Sequence, residues 1–60
     1  MNSHSWNFHT YKDRAGEWRW QLVASNGKIV ADSGESYSSL SAVREAAERV
    51  RKSAPSATID

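Results

Sequence analysis

Bulky and polar side chains alternate through the first half of this chain, and a three-four spacing replaces that alternation in the second half. The run Trp6-Asn7-Phe8-His9-Thr10-Tyr11 alternates up to Asp13-Arg14-Ala15-Gly16, where the glycine allows the left-handed conformation of a short hairpin loop. Glu17 to Ala24 then keeps a strict period of two. Trp18, Trp20, Leu22 and Ala24 fall on one face, and Glu17, Arg19, Gln21 and Val23 on the other. Asn26-Gly27 follows, a dipeptide suited to a two-residue type I′ turn, and Lys28-Ile29-Val30-Ala31-Asp32 reads as a third strand.

A two-residue turn at Asn26-Gly27 predicts a register in which Ala24 faces Ile29, Val23 faces Val30, Leu22 faces Ala31 and Gln21 faces Asp32. Ile29 and Ala31 then join the tryptophan face. Trp6 and Phe8 reach that face only if even positions pair with even positions, for example Phe8 with Trp20. That pairing calls for a three-residue first loop with Gly16 as a bulge.

Ser33 to Ser39 is polar and reads as a loop and helix entrance. From Leu40 onward, Leu40, Val43, Ala46, Ala47 and Val50 form one stripe of an α-helix, for which Ser39 is the favoured N-cap. Glu45 with Arg49 and Glu48 with Lys52 are spaced for i,i+4 pairs, and Pro55 ends the helix. The reading is an α+β fold with a three-stranded antiparallel sheet and one C-terminal helix in two layers. Residues 1–5 are expected to be flexible and 6–54 to form the domain. The tail 55–60 is expected either to lack structure or to add a short fourth strand at an edge through Ile59.

Composition narrows the picture further. Sixty residues allow one domain, and a domain of that size buries only about 60% of the surface its unfolded chain exposes. With no cysteine, neither disulfides nor thiolate metal sites are available to support it. The helix offers only Leu40, Val43 and Val50 as bulky inward residues, too little to cover three indoles. An indole left half exposed forfeits about 2 kcal/mol. A homodimer is therefore expected, built on an aromatic cluster of Trp6, Phe8, Trp18, Trp20, Leu22 and Ile59. No run approaches the length of a membrane helix, and Met1 to Ser5 has neither the basic nor the apolar stretch of a secretory signal, which predicts a cytoplasmic protein without a membrane partner.

Several stretches together resemble the YegP-like family of small domains. They are Phe8 to Asp13, Gly16-Glu17-Trp18-Arg19-Trp20-Gln21-Leu22, Asn26 to Ser33, and Tyr37-Ser38-Ser39, and the resemblance spans about residues 6–54. It implies a β-β-β-α unit that occurs as a tandem pair or as a single copy, and a single copy looks like half of the pair. It implies no catalytic residue, cofactor or substrate. The present helix departs from that pattern in its alternating charge at Arg44, Glu45, Glu48 and Arg49.

The remaining chemistry is sparse. Arg19 lies on the face opposite both flanking tryptophans, so an ion pair with Asp32 or Glu17, or a partner contact, accounts for it. The alternative function is weak nucleic-acid binding through Lys12, Arg19, Lys28, Arg49, Arg51 and Lys52. AP2-type DNA-binding domains share the layout of three strands and a helix, but residues 1–34 carry only four basic against three acidic side chains, and the whole chain is at +1. His4 and His9 lack the companions a zinc site needs, and no cofactor is expected. Ten serines include no nucleophile elbow or arguable triad, so an enzyme is not expected unless a dimer brings His9, Tyr11 and Arg19 of two chains into one pocket. Tyr37 reads as a packing residue that closes the end of the sheet.

Overall fold

The computed structural model describes residues 5–60. It contains β1 (Asn7–Lys12), β2 (Trp18–Val23), β3 (Ile29–Asp32), α1 (Leu40–Ser53) and a 3-10 turn at Ala54–Ser56. The strands form one antiparallel sheet in the order β1-β2-β3, as the alternation predicts. Apart from Ser5, the N-terminal segment expected to be flexible lies outside the described residues, as does His4.

The first hairpin follows the predicted parity but not the suggested partner. Phe8 pairs with Leu22, Thr10 with Trp20 and Lys12 with Trp18. Its loop is Arg14-Ala15-Gly16, with the Asp13 N–H donating to the Glu17 carbonyl at 2.8 Å and the Gly16 N–H donating to the Asp13 carbonyl at 3.0 Å. Gly16 adopts φ 81°, a conformation that glycine takes without a Cβ penalty. Phe8 still meets Trp20, diagonally: the rings pack edge to face, with centroids 5.3 Å apart and planes at 76°.

The second hairpin corrects the predicted register. Its loop is Ser25-Asn26-Gly27, with Ala24 donating to the Lys28 carbonyl and Gly27 donating to the Ala24 carbonyl, each at 2.8 Å. Gly27 takes φ 86°, but no non-glycine residue among those described has positive φ. Asn26 is therefore not in the conformation a type I′ turn demands. Its Oδ1 instead accepts the Lys28 N–H at 3.0 Å, so both hairpins use a three-residue loop closed by a left-handed glycine. The added loop residue is absorbed one step later. Val23 pairs with Ile29, the ladder shifts between Leu22 and Val23, and the Leu22–Ala31 and Gln21–Asp32 pairs stand as predicted. Ile29 thus lies opposite Val23 rather than joining the tryptophan face, and it is 56% exposed.

α1 begins where predicted, with the Ser39 hydroxyl accepting the Ala42 N–H at 3.1 Å. Val43, Ala46 and Ala47 are buried with Trp20, and Phe8, Trp18, Leu22, Tyr37, Leu40 and Val50 pack around them. The helix lies over β1 and β2 and does not touch β3, whose four residues are all exposed. Of the predicted i,i+4 pairs, Glu48 and Lys52 meet at 3.9 Å, while Glu48 also binds Arg51 one turn on; Glu45 and Arg49 form no ion pair. The tail adds no strand. Ile59 is 99% exposed and takes no part in the core, because the 3-10 turn at Pro55 carries the chain off the end of the helix.

Candidate interaction surface

Ser33 to Ser39 contributes more to the sheet than a polar loop would. Ser33 is buried, donating its N–H to the Trp20 carbonyl at 2.9 Å and accepting the Trp20 N–H on its hydroxyl at 3.2 Å. Tyr37 then forms a two-way backbone bridge with Trp18, at 2.7 and 2.8 Å, so the chain resumes pairing with β2 after Gly34-Glu35-Ser36 has bulged away. Tyr37 does close the end of the sheet, through its backbone as well as its ring. The Ser33 role was missed because a lone serine in a polar run carries no signal of burial.

The face of the sheet away from α1 has no covering layer within the chain. His9 and Tyr11 stack there with centroids 5.9 Å apart and planes at 13°. Arg19, opposite Tyr11, binds neither Asp32 nor Glu17. Its Nε donates to Asp13 Oδ2 at 2.8 Å across the diagonal, and its Nη1 donates to the Ser33 carbonyl at 3.4 Å. The other Asp13 oxygen accepts the N–H groups of Ala15 and Glu17 at 2.9 and 3.0 Å. The Arg19 hydrogen bond, aided by these N–H donors, holds the Asp13 carboxyl below its ordinary pKa, and the same carboxylate raises that of Arg19. The partner was not legible from alternation alone, because Asp13 lies just outside the strand.

The outer edge of β1 is unpaired. Asp13, at an odd position, bonds inward to Glu17, and the even residues of β2 bond toward the other edge, at Ser33, Tyr37 and Lys28. Antiparallel alternation therefore directs the N–H and C=O groups of Phe8, Thr10 and Lys12 outward. Between this edge and α1 runs a groove of about 420 Å³ lined by Phe8, Thr10, Arg44, Ala47, Glu48 and Arg51. Trp6, in the extended run entering β1, is 58% exposed.

Comparison with known proteins places this architecture. Residues 13–60 match the family described as a domain of unknown function, DUF1508. A UPF0339 protein of Agrobacterium fabrum is 41% identical over 56 residues, covering 92% of this chain and 89% of its own. The chain belongs to this UPF0339 family, the YegP-like family of the sequence resemblance. An NMR structure of a protein from Haloferax volcanii shares the fold, with a TM-score of 0.86, 38% identity and 95% of both chains covered. A UPF0339 protein encoded in a ptx operon 5′ region of Stutzerimonas stutzeri is 41% identical over 51 residues; these cover 85% of this chain and 45% of the relative.

In this UPF0339 chain the residues expected to form one aromatic cluster separate. Phe8, Trp18, Trp20 and Leu22 meet under α1, whereas Trp6 and Ile59 lie outside that core. Trp20 is only 8% exposed and Trp18 is half-buried, so the helix covers more indole than its narrow stripe suggests. The basic residues do not share one face. Lys12 sits over the Trp18 ring at 5.8 Å, Arg19 is on the opposite face, Lys28 follows the turn at the far end of β2, and Arg51 and Lys52 are bound to Glu48. Arg49 is exposed on α1. No three His, Asp or Glu side chains among the described residues are grouped as metal ligands, and no helix among them is long and apolar enough to cross a membrane.

Proposed function

We propose that this protein is a non-catalytic, cytoplasmic interaction module whose first partner is a second copy of itself. Trp6 carries this reading: a large indole 58% exposed beside an unpaired strand, in a chain too short to supply another layer. The Stutzerimonas relative supports it, because this chain matches less than half of that protein, leaving length there for a second unit. Ile29 and Val30, each more than half exposed, add apolar surface at the same end of the sheet.

Multi-angle light scattering at micromolar concentration tests the proposal. The expected mass is twice the 6.7 kDa of one chain. A folded species of single-chain mass across that range overturns the reading. Nucleic-acid binding gains no support from the distribution of basic side chains.

A further inference from the structure

Resting on that self-association, we infer that two copies join through their β1 edges, antiparallel and centred on His9, to make one six-stranded sheet. The backbone carries the argument. An open edge is a template for another strand, and natural edges are blunted by brevity, bulges, proline or charge. β3 is blunted: it has four residues, and its pairing shifts beside Val30. β1 has none of these devices. Its six residues pair in unbroken register with β2, it contains no proline, and its one charge, Lys12, stands at its end.

Two-fold symmetry then limits the register. In an antiparallel pair, directly opposed residues point to the same side, so a symmetric β1–β1 pair must centre on a residue, not between two. Centring on His9 uses the whole extended run from Trp6 to Lys12. It pairs the outward-facing groups of Phe8 with those of the partner's Thr10, and those of Trp6 with those of the partner's Lys12. Centring on Phe8 or Thr10 shortens the overlap. The His9 register also sets each Lys12 opposite the partner's Trp6, the arrangement in which a cation meets an indole rather than another cation. The partner's Trp6 then lies diagonal to Thr10, at the groove floored by Phe8 and Ala47. The exposed indole and the open groove thus cover one another.

Because the chain has no cysteine, single substitutions read the register directly. In this arrangement His9 and the partner's His9 form a non-hydrogen-bonded pair with Cα atoms about 4.5 Å apart, within disulfide reach. Oxidation with glutathione disulfide is expected to convert most His9→Cys protein to a covalent dimer. Tyr11→Cys on the same face, with its two copies about 13 Å apart along the strands, is expected to stay uncrosslinked. Thr10→Pro removes an outward N–H without touching the β2 ladder; it is expected to keep the circular dichroism of the fold and scatter as a single chain. If the unmodified protein is dimeric but Ala31→Cys on β3 crosslinks and His9→Cys does not, the β1 interface is overturned and self-association stands. If the unmodified protein is monomeric, both fail.

Discussion

Ser33 is the one polar residue that the fold buries among those described, and its hydroxyl stands where a strand would offer a carbonyl to Trp20. Removing it strands a buried N–H. Ser33→Ala is therefore expected to cost about 1–3 kcal/mol in urea unfolding, more than a surface serine should. Asp13 acts at the same scale but by charge. Its folded pKa is lowered, so its contribution is present above the unfolded value and is lost as pH falls through the folded one. Asp13→Asn keeps an acceptor for the turn N–H groups and removes the charge that Arg19 binds. The variant is expected to melt below the wild type at neutral pH, with the gap closing as pH falls below about 4. Neither role is visible in residue type: an aspartate before a glycine turn and a serine after a strand are both ordinary loop residues until the ladder brings Arg19 and Trp20 to them.

At the scale of elements, the two hairpins show how local chemistry was legible and where it misled. Gly16 was read as a bulged three-residue loop because the aromatic parity of Trp6 and Phe8 demanded one, and the loop has that form. Asn26-Gly27 was read as a two-residue turn because the dipeptide favours it, yet the same glycine also closes a three-residue loop after a right-handed asparagine. The apolar pattern did not decide between them, since Val23, Ile29 and Val30 are all apolar and a shift of one among them breaks no obvious rule. The observed turn makes a distinct demand. Gly27→Ala is expected to lower stability by about 1–2 kcal/mol, because only a left-handed residue closes the loop. Asn26→Asp, which keeps the Oδ1 acceptor and requires no positive φ, is expected to stay within about 0.5 kcal/mol in the same urea titration. The helix was legible from cap to stripe: Ser39, Val43, Ala46 and Ala47 occupy the positions their spacing assigned.

For the whole molecule, the decisive feature is the offset of the helix. α1 covers β1 and β2, encloses Trp20 and half-buries Trp18, and leaves Trp6 and β3 outside. If two copies share their β1 edges, folding and association are coupled and stability depends on concentration. The melting temperature is expected to rise over a hundred-fold increase in protein concentration for the wild type and to stay constant for Thr10→Pro. A wild-type melting temperature independent of concentration would contradict the coupling. The candidate surface was partly legible: an excess of indole over helix pointed to it, but the aromatic residues left outside could not be named from their spacing.

The sequence by itself determined the elements, their order, the parity of the first hairpin and the start of the helix. These follow from side-chain period, glycine conformation and a capping hydroxyl, all interactions within a few residues. Tertiary structure alone decided the shift at Val30, the Asp13–Arg19 pair, the return of the chain at Tyr37 and the placement of α1 over two strands rather than three. Each joins groups distant in the chain or just outside a strand, where several arrangements satisfy the local pattern equally and only the packing of Trp20 against Val43, Ala46 and Ala47 distinguishes them.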